Sequence, residues 1–316
     1  MSFTADAKNE IINKNINGNL QKRAFLAGFI RSTASIIKVG KAFGFEYSTE
    51  KNSVQEFVSS LFLNVFGFAP TKDESDIQFA KKRSTYQCLG EKAISVLLDL
   101  EIFIKIKGKL DLNAELNDSK LLSNEDAKKA FIKGVFVGVG NITLPKYGSK
   151  TGYHLGIRFS SYKASVGFIS LLETFGVYSS IVERRGFYLI YIKQAEEIKD
   201  FLALVNAPMS ALKLTELIIE KEVINNVNRA KNCDLANVNK QLDASERHIK
   251  YIELIENTVG LDTLGDNLKI TALIRRDYPD DSMNELAERL KITKSCLNHR
   301  LRKITEIAEN IAKEKR

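Results

Sequence analysis

Tryptophan is absent from the 316 residues, proline occurs four times, and cysteine and histidine occur three times each. The lack of proline and of any glycine-every-third pattern excludes a collagen-like or proline-rich extended chain. Cys88, Cys233 and Cys296 are too widely spaced for a CxxC pair and odd in number, so a disulfide framework is a poor fit and a reducing compartment is expected. His154, His248 and His299 stand apart, without HExxH or HxxxH spacing, and no glycine loop ends in Gly-Lys-Ser/Thr. Met1 to Glu10 carries Asp6, Lys8 and Glu10 where a signal peptide would be basic and then apolar. The most apolar stretch, Ala130 to Leu144, contains Lys133 and is too short to cross a bilayer. A cytoplasmic protein with no membrane partner is expected.

Apolar residues make up 44% of the chain and charged residues 27%, which suits a folded protein of two or three domains. The formal charge of +8 makes polyanions the first partners to consider. Residues 1–212 hold 28 basic and 21 acidic side chains, while residues 251–316 hold 12 of each. That balanced segment is polarised: Arg289, Lys291, Lys294, Arg300, Arg302 and Lys303 fall between Arg289 and Thr305 with no acid among them. A local basic face matters more to a nucleic acid than a domain's sum.

The first two thirds repeat. Lys22-Arg23-Ala24-Phe25-Leu26-Ala27-Gly28 returns 106 residues later as Lys128-Lys129-Ala130-Phe131-Ile132-Lys133-Gly134. Each copy reads as an apolar helix, strand-like segments and a helix ending Phe-Gly, at Phe66-Gly67 and Phe175-Gly176. In the second copy Asn141 to Leu144 and Tyr153 to Phe159 read as a hairpin around a turn at Lys146 to Gly152. A helix Tyr162 to Phe175 follows, then strands Val177 to Glu183 and Phe187 to Tyr191 and a helix Ala195 to Leu204. Gly28, Gly134 and Gly138 lie inside the repeated helices, Arg23 to Ser35 and Lys129 to Gly140, where each costs roughly 1 kcal/mol relative to Ala. Close helix-to-helix contact explains tolerating them.

Leu26 to Ala34 and Ile132 to Gly140 resemble the paired motifs of the LAGLIDADG homing endonucleases. The resemblance implies two motif helices packed at a pseudo-twofold axis beneath a saddle of strands. In those nucleases the eighth motif residue is a carboxylate holding a divalent metal, since a hard cation needs oxygen ligands. Thr33 and Val139 stand there, so no catalytic or metal residue and no cofactor is expected.

The last 66 residues read as helices broken at Gly260, Gly265 and Pro279. Asp266 to Asp277 is one. Ser282-Met283-Asn284-Glu285 is a capping box that starts a short helix with Leu286, Ala287 and Leu290 on one face. Thr293 suits the N-cap of a further helix with Leu297, Leu301 and Ile304 inward. This is a helix-turn-helix pattern, although Lys291 occupies a turn position where Gly is common. Lys294, Ser295, Asn298, His299, Arg300, Arg302 and Lys303 are the expected DNA-binding residues.

The degenerate motif pair, the connector Asn232-Cys233-Asp234-Leu235-Ala236-Asn237 with Tyr251 to Glu256, and Thr293 to Lys303 together resemble the WhiA family of bacterial transcription regulators. The expected fold is α+β: a duplicated LAGLIDADG-like domain over residues 1–212, with pseudo-repeats near 1–110 and 120–212. A helical, polar connector over 213–250 and an all-α helix-turn-helix domain over 251–316 complete it. The resemblance implies a non-catalytic regulator that binds double-stranded promoter DNA, is nucleoid-associated, and acts in sporulation, cell division or chromosome segregation. For some members it also implies association with a sigma factor, RNA polymerase or another regulator. The alternatives are a LAGLIDADG-type endonuclease or maturase, and a saddle that binds a protein partner while the C-terminal domain delivers it to DNA.

Overall fold

A computed structural model describes residues 2–73, 83–106, 108–113, 116, 119–145 and 151–314. The chain divides into two compact units, residues 1–219 and 220–316.

The first unit opens with helix α1 (Phe3–Ile12). The first copy then runs α2 (Asn19–Thr33), β1 (Ser35–Val39), β2 (Ala42–Thr49), α3 (Asn52–Phe66), β3 (Thr71–Lys72), β4 (Ser84–Leu89) and α4 (Glu91–Asp99). A small hairpin, β5 (Phe103–Ile106) and β6 (Lys109–Leu112), leads to the second copy. That copy runs α5 (Glu125–Val139), β7 (Asn141–Thr143), β8 (His154–Phe159), α6 (Tyr162–Glu173), β9 (Ser180–Arg184), β10 (Phe187–Ile192) and α7 (Ala195–Leu204). The two antiparallel sheets have the same strand order, β1-β2-β4-β3 and β7-β8-β10-β9.

The repeated helices meet along bare backbone. A Cβ added to Gly28 would lie 2.2 Å from the carbonyl oxygen of Phe131, and one added to Gly134 would lie 2.0 Å from that of Phe25. The offset of 106 exchanges these two contacts, which makes the pairing reciprocal about a pseudo-twofold axis. Glycine is required here because any side chain would force the main chains apart. Phe25, Phe29, Phe45, Tyr47, Phe62, Phe131, Phe136, Phe168 and Phe201 are fully buried in the surrounding core.

Helix boundaries follow caps. α5 begins at Glu125, four residues before the expected Lys129, because Asn124 accepts from the Ala127 N–H at 2.9 Å and Glu125 and Asp126 suit the helix N-terminus. α2 stops at Thr33 because Ser35 already pairs with Glu46 in the sheet. α3 ends on Gly67 in the left-handed conformation (φ 76°). The expected turn at Lys146 to Gly152 falls, at residues 146–150, outside the described residues.

Helix α8 (Pro208–Glu256) is 49 residues long and includes the whole stretch 213–250. Its start combines Pro208, which needs no N–H partner in a first turn, with the Glu10 carboxylate, which accepts from the N–H groups of Met209 (2.9 Å) and Ser210 (2.7 Å).

The second unit continues α8 and adds α9 (Asp266–Asp277), α10 (Met283–Arg289) and α11 (Lys294–Glu314). Its core gathers Ile252, Ile255, Ala272, Leu286, Ala287, Leu297, Leu301, Ile304 and Ala308.

Candidate nucleic-acid interface

The helix-turn-helix is fixed by local chemistry at each joint. The Ser282 hydroxyl accepts from the Glu285 N–H at 3.3 Å, and the Glu285 carboxylate accepts from the Ser282 N–H at 2.7 Å, so the capping box closes α10 from both sides. The same bond to the Ser282 backbone holds the Glu285 carboxyl below its ordinary range. Before it, the buried Arg275 guanidinium donates to the carbonyls of Asp281 and Pro279, both at 2.8 Å, and fixes the link between α9 and α10. Ser245 donates to the same Pro279 carbonyl at 2.5 Å.

The turn is a Schellman motif: the Lys291 N–H donates to Glu288 O at 3.0 Å and the Ile292 N–H to Ala287 O at 2.9 Å. Lys291 occupies the left-handed position at φ 53°, which costs a non-glycine residue roughly 1 kcal/mol. Ile292 and Leu297 then pack into the core, and the Thr293 hydroxyl accepts from the Cys296 N–H at 3.2 Å to start α11.

Helical spacing sends Leu297, Leu301, Ile304 and Ala308 inward and leaves the opposite face of α11 open. Lys294, Ser295, Asn298, His299, Arg302 and Lys303 are all exposed there. Arg302 reaches Glu306 at 3.2 Å, a solvent-exposed pair that contributes little and can exchange for another anion. Arg300 lies on the flank instead: it is half-buried, and its Nη1 is 3.4 Å from both Asn267 O and Thr271 Oγ1 of α9. Arg289 is also engaged, bonded to Asp281 at 2.5 Å with its guanidinium 3.7 Å from the Tyr278 ring centre.

A second basic surface, absent from the sequence-based expectations, lies on the second copy's sheet. Alternation buries Leu155, Ile157 and Phe159 of β8, so His154, Gly156 and Arg158 face the other way. Strand register adds Arg184, Phe187, Leu189 and Tyr191 to that face. His154 stacks on Tyr191 with ring centres 6.0 Å apart, Lys193 lies 5.0 Å from the Tyr191 ring centre, and Arg158 lies 4.8 Å from that of Phe187. Burial, with Lys193 and Arg184 nearby, lowers the His154 pKa. The corresponding face of the first sheet carries Glu46, Gln87 and a Ser48–Thr85 hydroxyl pair at 3.0 Å.

The motif positions themselves are closed. The Thr33 hydroxyl donates to Phe29 O at 2.6 Å, Ser32 donates to Gly28 O at 2.8 Å, and Val139 packs against the core. Arg31 donates to the carbonyls of Asn113 (2.6 Å) and Glu101 (2.5 Å), and burial lowers its pKa to about 10. These side chains offer no carboxylate oxygen to a hard divalent cation and do not fit one. Among the described residues no three His, Cys, Asp or Glu side chains gather as a metal site, and no helix is long and apolar enough to cross a membrane.

Comparison with known proteins agrees with this architecture. The family profile of the WhiA LAGLIDADG-like domain matches residues 128–224, and that of the WhiA C-terminal HTH domain matches residues 227–308. A probable cell division protein WhiA from Thermoanaerobacter sp. (strain X514) is 35% identical over 322 aligned residues, covering 100% of this chain and 99% of the relative. One from Clostridium beijerinckii is 32% identical, with 100% of both chains covered. The crystal structure of full-length DUF199/WhiA from Thermatoga maritima, 24% identical, superposes with a TM-score of 0.56 over 98% of this chain and 99% of that one. A degenerate LAGLIDADG-like repeat joined to a helix-turn-helix, with relatives similar from end to end, places this chain in the WhiA family.

Proposed function

We propose that this protein is a sequence-specific, non-catalytic DNA-binding regulator of transcription. The observation that carries the reading is the exposed face of α11, where Lys294, Ser295, Asn298, His299, Arg302 and Lys303 stand together with no acid before Glu306. Asn298 and Arg302 have the donor and acceptor geometry to read base edges in a major groove, and the lysines suit phosphates. Arg300, bound to α9, sets the helix at the groove from its flank. The relatives' description as probable cell division proteins supports a role in that process, and the family resemblance extends it to sporulation, to promoter DNA and to contact with a sigma factor, RNA polymerase or another regulator.

The aromatic and basic face of the second sheet supports a further set of contacts, to the DNA backbone rather than to bases. Thr33 and Val139 support binding without cleavage, because strand scission of this kind needs a metal held by oxygen anions.

The test uses a duplex selected from random sequence by the full chain. Arg302→Ala and Asn298→Ala are expected to lose about 1 to 3 kcal/mol each and to relax selectivity at one base position. Undiminished, equally selective binding by both variants would remove α11 as the reader. Reproducible nicking of supercoiled plasmid with Mg²⁺ or Mn²⁺, abolished by a substitution in this chain, would instead establish the nuclease or maturase alternative.

A further inference from the structure

The relation between the copies singles out one cleft. In the first copy Arg23 of α2 is paired with Asp99 of α4 at 2.5 Å, and one turn further along α2 lies the buried Ala27. The offset of 106 carries these two positions to Lys129 and Lys133 of α5. The left-handed residues that end α4 and α7, Glu101 (φ 53°) and Asn206 (φ 62°), align the helix ends and set Leu204 where the first copy has Asp99. The second copy therefore has no carboxylate at the position of Asp99, Asp200 lying one turn earlier on α7, and has an additional ammonium group at Lys133.

That place is open rather than packed. A cleft of about 430 Å³ is lined by the Lys14–Gly18 loop, Gln21, Lys129, Lys133 and Asn206, a size that suits a small organic ligand. Lys14 is anchored there by the backbone carbonyl and the side-chain oxygen of Asn206, both at 3.0 Å. Lys129 lies 3.4 Å from Glu125 and 5.5 Å from the Phe175 ring centre; Asp126 lies on the cleft wall, and Asp200 joins Lys129, Lys133 and Asn206 in an adjoining pocket. Lys133 is half-buried and has no hydrogen-bond or ion-pair partner among the described residues. Burial lowers its pKa, and Lys14 and Lys129 push the same way against Asp126. A cation so placed is stabilised by an anion arriving from solvent. The first turn of α2 opens on the same cleft: its N-cap, Gly18, has no side chain to satisfy the free amides, whereas the matching Asn124 caps α5.

We infer that this cleft binds the phosphate group of a small phosphorylated molecule, with Lys14, Lys129 and Lys133 as its cationic clamp. A phosphate offers several acceptor oxygens and about two negative charges, which three converging ammonium groups and free backbone amides complement better than a monocarboxylate would. The inference is independent of the DNA-reading face, because every residue in it belongs to the repeat domain.

The experiment titrates the full chain with inorganic phosphate, pyrophosphate and adenosine diphosphate, following heat of binding and thermal unfolding. Saturable binding of at least one probe is expected, weakened about tenfold or more by Lys133→Met and by Lys129→Met. Lys105→Met, at an exposed position of β5, and Arg302→Ala, on the DNA-reading face, are expected to bind as wild type does. Stronger binding of adenosine diphosphate than of pyrophosphate assigns the cleft to a phosphate ester, and binding of the inorganic anions that is as strong or stronger overturns the ester reading. Absence of saturable binding by all three probes, or affinity unchanged in both lysine variants, would overturn the inference. Should Lys133→Met not fold, Lys129→Met decides, and loss of DNA binding in Arg302→Ala with probe binding intact separates the two readings.

Discussion

The two copies of the repeat share strand order, helix order and, between their motif helices, a 106-residue offset, yet their sheets present different chemistry to solvent. The second shows His154, Arg158, Arg184 and Lys193 among aromatic rings, and the first shows Glu46 among hydroxyls and amides. Where the copies touch each other they remain matched, Gly28 against Phe131 and Gly134 against Phe25. Packing at a shared axis constrains both copies at once, while each outer face is free to change alone. Symmetry survives where main chains meet and is lost where side chains meet water.

The largest effect is expected from breaking that axis. Gly28→Ala and Gly134→Ala each drive a methyl group into a carbonyl oxygen that belongs to the partner helix, so each is expected to cost about 3 kcal/mol or more, or to prevent folding. Gly138→Ala meets the Thr33 methyl group and the Ser32 hydroxyl, which can shift, and is expected to cost less. Denaturant midpoints measure all three, and unequal losses for Gly28 and Gly134 would break the claimed reciprocity.

A smaller effect is expected at Lys8, on α1, a helix with no counterpart in the second copy. Its ammonium is buried 5.9 Å from the Phe136 ring centre, and burial, aided by Lys51 and Arg83 and opposed by Glu50, lowers its pKa to about 8 from 10.5. The folded state therefore sheds this proton first. Below pH 8 the cost of the buried charge is fully present, and between about pH 8 and 10.5 the unfolded chain holds more protons, so stability should rise with pH. Lys8→Met is expected to stabilise the protein by on the order of 2 kcal/mol near neutral pH and to flatten that rise. Unfolding measured across the alkaline range checks the sign.

The smallest effect sharpens the contrast between the sheets. Removing Arg158, Arg184 or Lys193 is expected to lower the salt dependence of DNA affinity by about one for each phosphate that the variant no longer neutralises. Glu46→Gln in the first sheet is expected to leave the slope where it is. Binding isotherms at a series of salt concentrations distinguish the faces, and equal slopes for all four variants would remove the second sheet from the interface.

The helix-turn-helix is legible in the sequence because its instructions are local: Ser282 and Glu285 cap one helix, Thr293 caps the next, and the apolar spacing of α11 fixes its inward face. The helix α7, from Ala195 to Leu204, and α9, from Asp266 to Asp277, are readable end to end from their spacing and flanking residues, although neither has a side-chain N-cap. In the second copy β8 shows itself through alternation and β10 as an apolar run, whereas in the first copy β2 alternates, Phe45 and Tyr47 against Glu46 and Ser48, but β4 mixes polar and apolar residues and the region reads only as loose segments. α1 has a local start, its N-cap Ser2 accepting from the Ala5 N–H at 3.3 Å, but its placement rests on Thr4 meeting Ile142 and Glu10 meeting Ser210, more than a hundred residues away. The flank position of Arg300 is equally hidden, since helical phase sets it at the edge of the exposed face of α11 and only the proximity of α9 turns it inward. The basic outer face of the second sheet depends on strand register, which brings Arg158 and Phe187 together from segments about thirty residues apart.

The glycine contacts at the repeat axis also govern how this domain can come into being. Neither motif helix has a finished surface of its own, since each offers a strip of naked main chain that only the other covers. A chain severed between β6 and α5 would yield two fragments unable to persist singly, each obliged to find its complement or to coalesce with copies of itself. Joined in one chain, the halves cover each other's main chain without having to meet a separate partner, and their outer faces differ over an axis that neither half can leave.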